Sequence, residues 1–321
     1  MAINQSLLLL RFFAIILITN SHLDSLYPNP KFGTGGALGN SIFFFISAIG
    51  ITLSNSPLTQ SFISWYKNRG SRVLPSLWLV LLLLIFLGHY NHLAIEQLAL
   101  LFIFPKEFWF LPALMVMYIP LFFIVRHYSF NLFVKLIIPL CVIYSLWYLW
   151  SYEPTRFSIE DFGLFKVFFY LIVMLFGVYI GNNIDDIFRY QKHDLLKLLL
   201  VTLLYFASKF FMLKTGRYEW QFITHLLTLP WLVYLAKTFS GNYFKSLFDT
   251  SRYRKLVITI VASLTLEIYL IQSIIYNSHA VTSNIFPVNL LVFILLVMLS
   301  AFVLQKATIF TRSILVRVVS R

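Results

Sequence analysis

Arg11 and His22 stand in and at the end of the first apolar run of the chain, with ten residues between them. On an α-helix, eleven steps of 100° return to within about 20° of the starting direction, so both side chains share a face, about 16 Å apart along the axis. With the imidazole near one membrane surface, the guanidinium falls at about mid-bilayer. An ionisable group at that depth is costly, and by default it marks a functional site. A histidine near the surface, with Asn20 two residues before it and Asp24 two after, suits removal of a proton from a hydroxyl by general-base catalysis. It equally suits a helix-end histidine bonded to backbone or water. Arg11 requires an anionic partner, a water-filled cavity or a phosphate-bearing ligand, with a structural ion pair as the plain alternative.

Three further constellations carry chemistry. In the stretch from Trp65 to Pro75, Arg69 and Arg72 are three apart, so on a helical turn they face the same way, with Lys67 close by in sequence. Paired guanidiniums suit the phosphates of a cytoplasmic nucleotide such as coenzyme A; a lipid-headgroup anchor is the alternative. In the second apolar run, Ser47, Ala48 and Gly50 are small, which permits either close helix packing or passage of a slender acyl-pantetheine chain. Glu267 lies inside another apolar run, where a carboxylate must be neutral, paired or wet. It is read with equal weight as a structural partner for Arg11 and as a catalytic group. The remaining histidines, His225 among them, are read as scattered loop-edge residues without metal-ligand spacing, so no metal is assigned.

The elements that must position these groups follow from composition. The 321 residues are 60% hydrophobic and 12% charged, and a soluble domain carries about twice that charged fraction. Apolar stretches recur along the whole length, which predicts an all-α, polytopic membrane protein forming one domain over residues 1–321. About ten spans are read, near 6–21, 38–55, 73–88, 109–125, 132–150, 164–181, 195–213, 220–238, 256–276 and 287–305. The apolar stretch from His92 to Pro105 is short and contains Glu96 and Gln97, so it is expected to lie at an interface or re-enter. The first run lacks a basic leader and a small-residue cleavage site, and reads as a retained helix.

The net charge of +13 does not imply nucleic acid, because the basic residues are dispersed among short loops. With a cytoplasmic N-terminus, 17 of the 25 Lys and Arg residues fall on the cytoplasmic side and seven outside, with Arg11 in the membrane. That bias predicts two cytoplasmic termini and an even number of spans. The single cysteine, Cys141, lies within an apolar run and forms no internal disulfide. No internal repeat or inverted pair of halves points to a transporter.

Four stretches in order resemble the acyltransferase-3 family of integral-membrane enzymes that O-acylate bacterial surface glycans. They are Arg11 with His22; the run from Leu38 to Ser47; Arg69 and Arg72 followed by Leu74 and Pro75; and Trp109-Phe110-Leu111-Pro112-Ala113. The stretch from Ser263 to Gln272 is also similar. The resemblance implies a ten-helix domain taking acyl groups, usually acetyl from acetyl-CoA, at the cytoplasmic face of a bacterial inner membrane. The group is delivered to a hydroxyl of a lipid-linked or cell-surface glycan, such as an exopolysaccharide. By this carry-over His22 is the essential histidine and Arg11 its partner, with Glu267 a third catalytic candidate. Arg69 and Arg72 correspond to the family's acyl-donor motif; beside the resemblance, Lys67 and Ser47 are expected to serve the donor, and Asn20, Asp24 and Trp109 to face the acceptor.

Expected partners are acyl-CoA as co-substrate rather than a resident cofactor, the saccharide acceptor, membrane lipids and glycan-biosynthesis proteins. Ala48 stands where the family usually has glycine, and Gln272 where many members have histidine. The chain carries no SGNH-type soluble domain, so it is expected to complete the transfer itself. A polysaccharide exporter or flippase would share this composition and is the alternative reading; dependence on acyl-CoA separates the two.

Overall fold

The computed structural model describes residues 2–151 and 163–319; Arg156 and Arg321, counted above in the charge bias, lie outside them. Every regular element among the described residues is helical. The principal helices are α1 (Ala2–Asn20), α2 (Gly36–Leu53), α3 (Phe62–Phe86), α4 (Ile95–Leu101), α5 (Phe110–Arg126) and α6 (Phe130–Ser151). They are followed by α7 (Gly163–Asn182), α8 (Asp194–Thr215), α9 (Gln221–Phe239), α10 (Arg252–Ser263), α11 (Thr265–Tyr276) and α12 (Val288–Val319). Eight are long and apolar enough to cross a membrane, or up to ten spans if each of two bent pairs counts as one. The ten runs read from the sequence are all helical, but two of them belong to those bent pairs.

The chain divides into two units. The first comprises residues 1–14, 37–59 and 121–258. Its α2 and α7 approach closely because α7 presents Gly177 and Gly181, one turn apart, to Ala48 and Thr52 of α2. A Cβ built on Gly177 would lie 2.7 Å from the Phe45 carbonyl oxygen and 2.9 Å from the Ala48 side chain. Ala48 therefore serves close packing, whereas Gly50 faces open space. Gly177→Leu is expected to destabilise the protein by about 1–3 kcal/mol through overpacking, checked by thermal unfolding of the detergent-solubilised protein. In the same unit, Tyr144 of α6 stacks on Phe165 of α7 and shares a 3.0 Å hydrogen bond with His225 of α9. His225 is thus a packed residue inside a helix and not at a loop edge, since a helix continues through it from Gln221.

The second unit comprises residues 15–36, 60–120 and 259–321. Helix α3 starts at Phe62, capped by the Ser61 side chain, which accepts from the Ser64 amide. The basic stretch, read as a helical turn ahead of a span beginning at 73, is therefore part of the first half of α3. The segment Ile95–Phe108, which includes α4, and α5 meet at a 94° bend, with Trp109 between them.

The run read as one span over 256–276 breaks between α10 and α11 with a 74° bend. The sequence Ser263-Leu264-Thr265 explains the break. The Ser263 hydroxyl bonds back to the Ile260 carbonyl at 2.8 Å, in competition with the regular ladder. The Gln305 side chain then supplies a donor to the Ser263 carbonyl at 3.1 Å, a partner that a backbone group at membrane depth requires. The break places Glu267 in the first turn of α11, where the helix dipole favours a carboxylate, rather than deep within an unbroken helix.

Candidate active site

Helix α1 ends at Asn20, and the chain tightens into a turn in which the His22 amide bonds to the Thr19 carbonyl at 3.0 Å. His22 is thus carried by a turn beyond the helix, and the phase expected for an uninterrupted helix from Arg11 does not extend to it. Arg11 itself is exposed on α1.

The turn is held from several directions. Asn20 donates to the carbonyls of Phe32 at 2.7 Å and Thr34 at 2.9 Å, and its side-chain oxygen accepts from the Tyr27 hydroxyl at 2.6 Å. Its amide is committed to the loop that carries Phe32 and Thr34. Gly33 in that loop packs on Asp24, where a Cβ would fall 2.7 Å from the Asp24 Cα. Gly35 adopts φ +108° against Leu17, a conformation open to glycine at little cost. The buried Asn289 of α12 donates to the Leu26 carbonyl at 2.9 Å. The Gly-rich stretch thus lies flat on the segment that carries His22.

His22 remains exposed to solvent, yet protein packed around the imidazole lowers its pKa by desolvation, with the Asp24 charge acting in the opposite direction. A histidine whose pKa is lowered in this way is a neutral base at physiological pH. Asp24 accepts from the Ser25 amide at 2.9 Å and from the Tyr276 hydroxyl at 3.3 Å, while Tyr276 also bonds to the Ser25 hydroxyl. Tyr276 was not singled out from the sequence, where an aromatic residue at a helix end reads as an interfacial anchor. Asp24→Asn removes a charge that raises the His22 pKa. The acid limb of the pH–rate profile, where His22 loses its proton, is expected to move to lower pH; initial rates across the acid range check this.

Glu267 is placed elsewhere on the same unit. Its carboxylate accepts from the buried Ser76 of α3 at 3.3 Å, and Ser76 also bonds to Thr308 of α12 at 3.0 Å. Nine residues separate Glu267 from Tyr276 along α11, about 13 Å of helix. Asp24 is the carboxylate whose charge acts on His22.

The second cluster lies in α3. The Arg69 guanidinium sits 5.4 Å from the centre of the Trp65 ring. Trp65 is buried and meets Tyr118 of α5 edge-on at 5.7 Å. The Tyr66 hydroxyl donates to the Met115 carbonyl at 3.2 Å, tying the same helices. Arg72 and Lys67 are exposed, and Arg69 is half-buried. One arginine is therefore aimed by a stacked aromatic while its neighbour stays available to solvent. Ser47 on α2 and Trp109 at the 94° bend are both half-buried.

Length, hydropathy and helix count make this a multi-pass membrane protein. An acyltransferase-domain family model matches residues 4–305, nearly the whole chain. The chain belongs to the acyltransferase-3 family and is a membrane acyltransferase. No curated protein and no solved structure matches it.

Proposed function

We propose that this acyltransferase moves an acetyl group from acetyl-CoA, bound on the cytoplasmic side, to a hydroxyl of a lipid-linked or surface glycan. It would do so in a bacterial cytoplasmic membrane, with both termini in the cytoplasm. The observation that carries this reading is His22, exposed on the turn after α1 beside Asp24, with desolvation lowering its pKa. A neutral imidazole there removes the proton of an acceptor hydroxyl as its oxygen attacks the thioester carbonyl. The carbon–sulfur bond breaks, and the imidazolium returns its proton to the departing thiolate. Asp24 steadies the imidazolium between those events. Arg11 stabilises the negative charge that develops on the carbonyl oxygen. Arg69 and Arg72 bind the donor phosphates, Lys67 adds charge at the same face, and Ser47 borders the pantetheine arm. Trp109 offers an aromatic face to a sugar ring.

The test is mass spectrometry of surface and lipid-linked glycans from the source strain with and without this chain, together with radiolabel transfer from acetyl-CoA in isolated membranes. Loss of an acetyl-sized increment and of label transfer supports the reading. Intact acylation with a fall in exported glycan favours the exporter.

A further inference from the structure

The side chains of α10 sort by chemistry around its axis. Tyr253, Leu256, Val257 and Ile260 stand at i, i+3, i+4 and i+7, which makes one apolar stripe. All four are exposed, Tyr253 at 81%, Leu256 at 53% and Val257 at 54%. Arg252 and Lys255 border the stripe on one side and Arg254 on the other, and all three are exposed. The helix contains no acidic residue. Ser251 precedes it and accepts from the Arg254 amide at 3.4 Å, so the three cations occupy the first turn, where the helix dipole disfavours positive charge. They do not serve the stability of the helix itself. Its length and bend decide how it lies. The 12 residues of α10 rise about 18 Å, against about 30 Å for the hydrocarbon core. The 74° bend leaves α10 advancing only about 5 Å along the α11 axis. The break also lies at the level of a surface charge. Gln305, which donates to the Ser263 carbonyl at 3.1 Å, is followed by the exposed Lys306, and a lysine belongs near the membrane edge.

We infer that α10 lies in the plane of the membrane surface as an amphipathic helix and binds the anionic lipid headgroups of that leaflet. The stripe enters the boundary between headgroups and acyl chains, and Arg252, Arg254 and Lys255 meet lipid phosphates on both sides of it. Their long stems let the apolar part of each side chain stay at the boundary while its charge reaches the phosphates. Charge complementarity selects this occupant over a second copy of the chain, which carries 12 acidic against 25 basic residues and offers little to three cations. The anchored helix sets where α11, the carrier of Glu267 and Tyr276, begins. The inference concerns anchoring and does not depend on which donor or acceptor the enzyme uses.

The test uses the full-length protein in nanodiscs. Cys141→Ala removes the single native thiol, and Val257→Cys takes an environment-sensitive fluorophore. Its quenching is compared for brominated phosphatidylglycerol and brominated phosphatidylcholine at equal mole fraction, and for iodide in the water. The anionic lipid is expected to quench about threefold or more strongly than the neutral one. Arg252→Gln, Arg254→Gln and Lys255→Gln together should abolish that preference, whereas Arg252→Lys with Arg254→Lys should keep it. Should the triple variant melt early, the same preference is followed in the parent protein up to about 1 M salt, where screening shortens to about 3 Å and the preference should shrink. Equal quenching by the two lipids overturns the inference and makes α10 part of a kinked crossing helix. A preference that survives both charge removal and salt overturns it as well. Quenching by iodide alone leaves the helix in water, and quenching by none of the three marks a protein partner, a second copy included; either result also overturns it.

Discussion

His22→Ala is expected to lower acyl transfer by about 10²–10⁴-fold, the usual contribution of a positioned general base, while the protein inserts and folds normally. The second half of that expectation follows from how the turn is built. The turn is held by Asn20, Gly33 and Asn289 through bonds and contacts that do not involve the imidazole. His22 is exposed, so truncating it leaves no cavity in a packed core, and exposed substitutions away from special features change stability by within about 0.5 kcal/mol. The measurement is label transfer from acetyl-CoA in membranes carrying equal protein, paired with a melting curve of each variant. A wild-type rate in His22→Ala would sink the general-base assignment; a lost rate with a lowered melting temperature would make the histidine structural.

The sequence made the membrane class readable because hydrophobic length is set by bilayer thickness, and no tertiary knowledge is needed to see a twenty-residue apolar run. The two bends lay beyond it for opposite reasons. The 94° bend at Trp109 follows a visibly short apolar stretch interrupted by Glu96 and Gln97, so a departure from a simple span was legible. The 74° break at Leu264 has no proline or glycine to announce it. It depends on hydroxyl competition at Ser263 and on Gln305, supplied by a distant helix. The same division runs through the site. His22 and Asp24 are close in sequence, and spacing alone brought them together. Tyr276 reaches Asp24 from 252 positions away, and nothing in one sequence announces such a pairing. Gly33 and Gly35 precede the second apolar run in the sequence. Their close approach to Asp24 and Leu17 is a backbone contact that residue type permits but does not disclose.

The other large effect is expected at α3, where two arginines of similar sequence context should fail in different ways. Arg72 is exposed and stands on no aromatic support, so Arg72→Ala should raise the KM for acetyl-CoA with little change in kcat or melting temperature. The loss of one charge-assisted phosphate bond, about 1.5–3 kcal/mol, corresponds to about ten- to a hundredfold in donor affinity. Arg69 is half-buried over Trp65, whose ring is itself packed against Tyr118. Arg69→Ala should therefore raise the donor KM and also lower the melting temperature, because the stacked face of the guanidinium and its aliphatic stem are lost together. Lysine at position 69 should not restore the donor KM, since an ammonium lacks the planar fork that stacks and bonds at once. Initial rates at varied acetyl-CoA, with CoA as competitor, measure all three variants. If the donor KM stays constant while binding to anionic vesicles weakens, the pair is a lipid-headgroup contact. If only Arg72 leaves the donor KM unmoved, the donor is held by the stacked arginine alone.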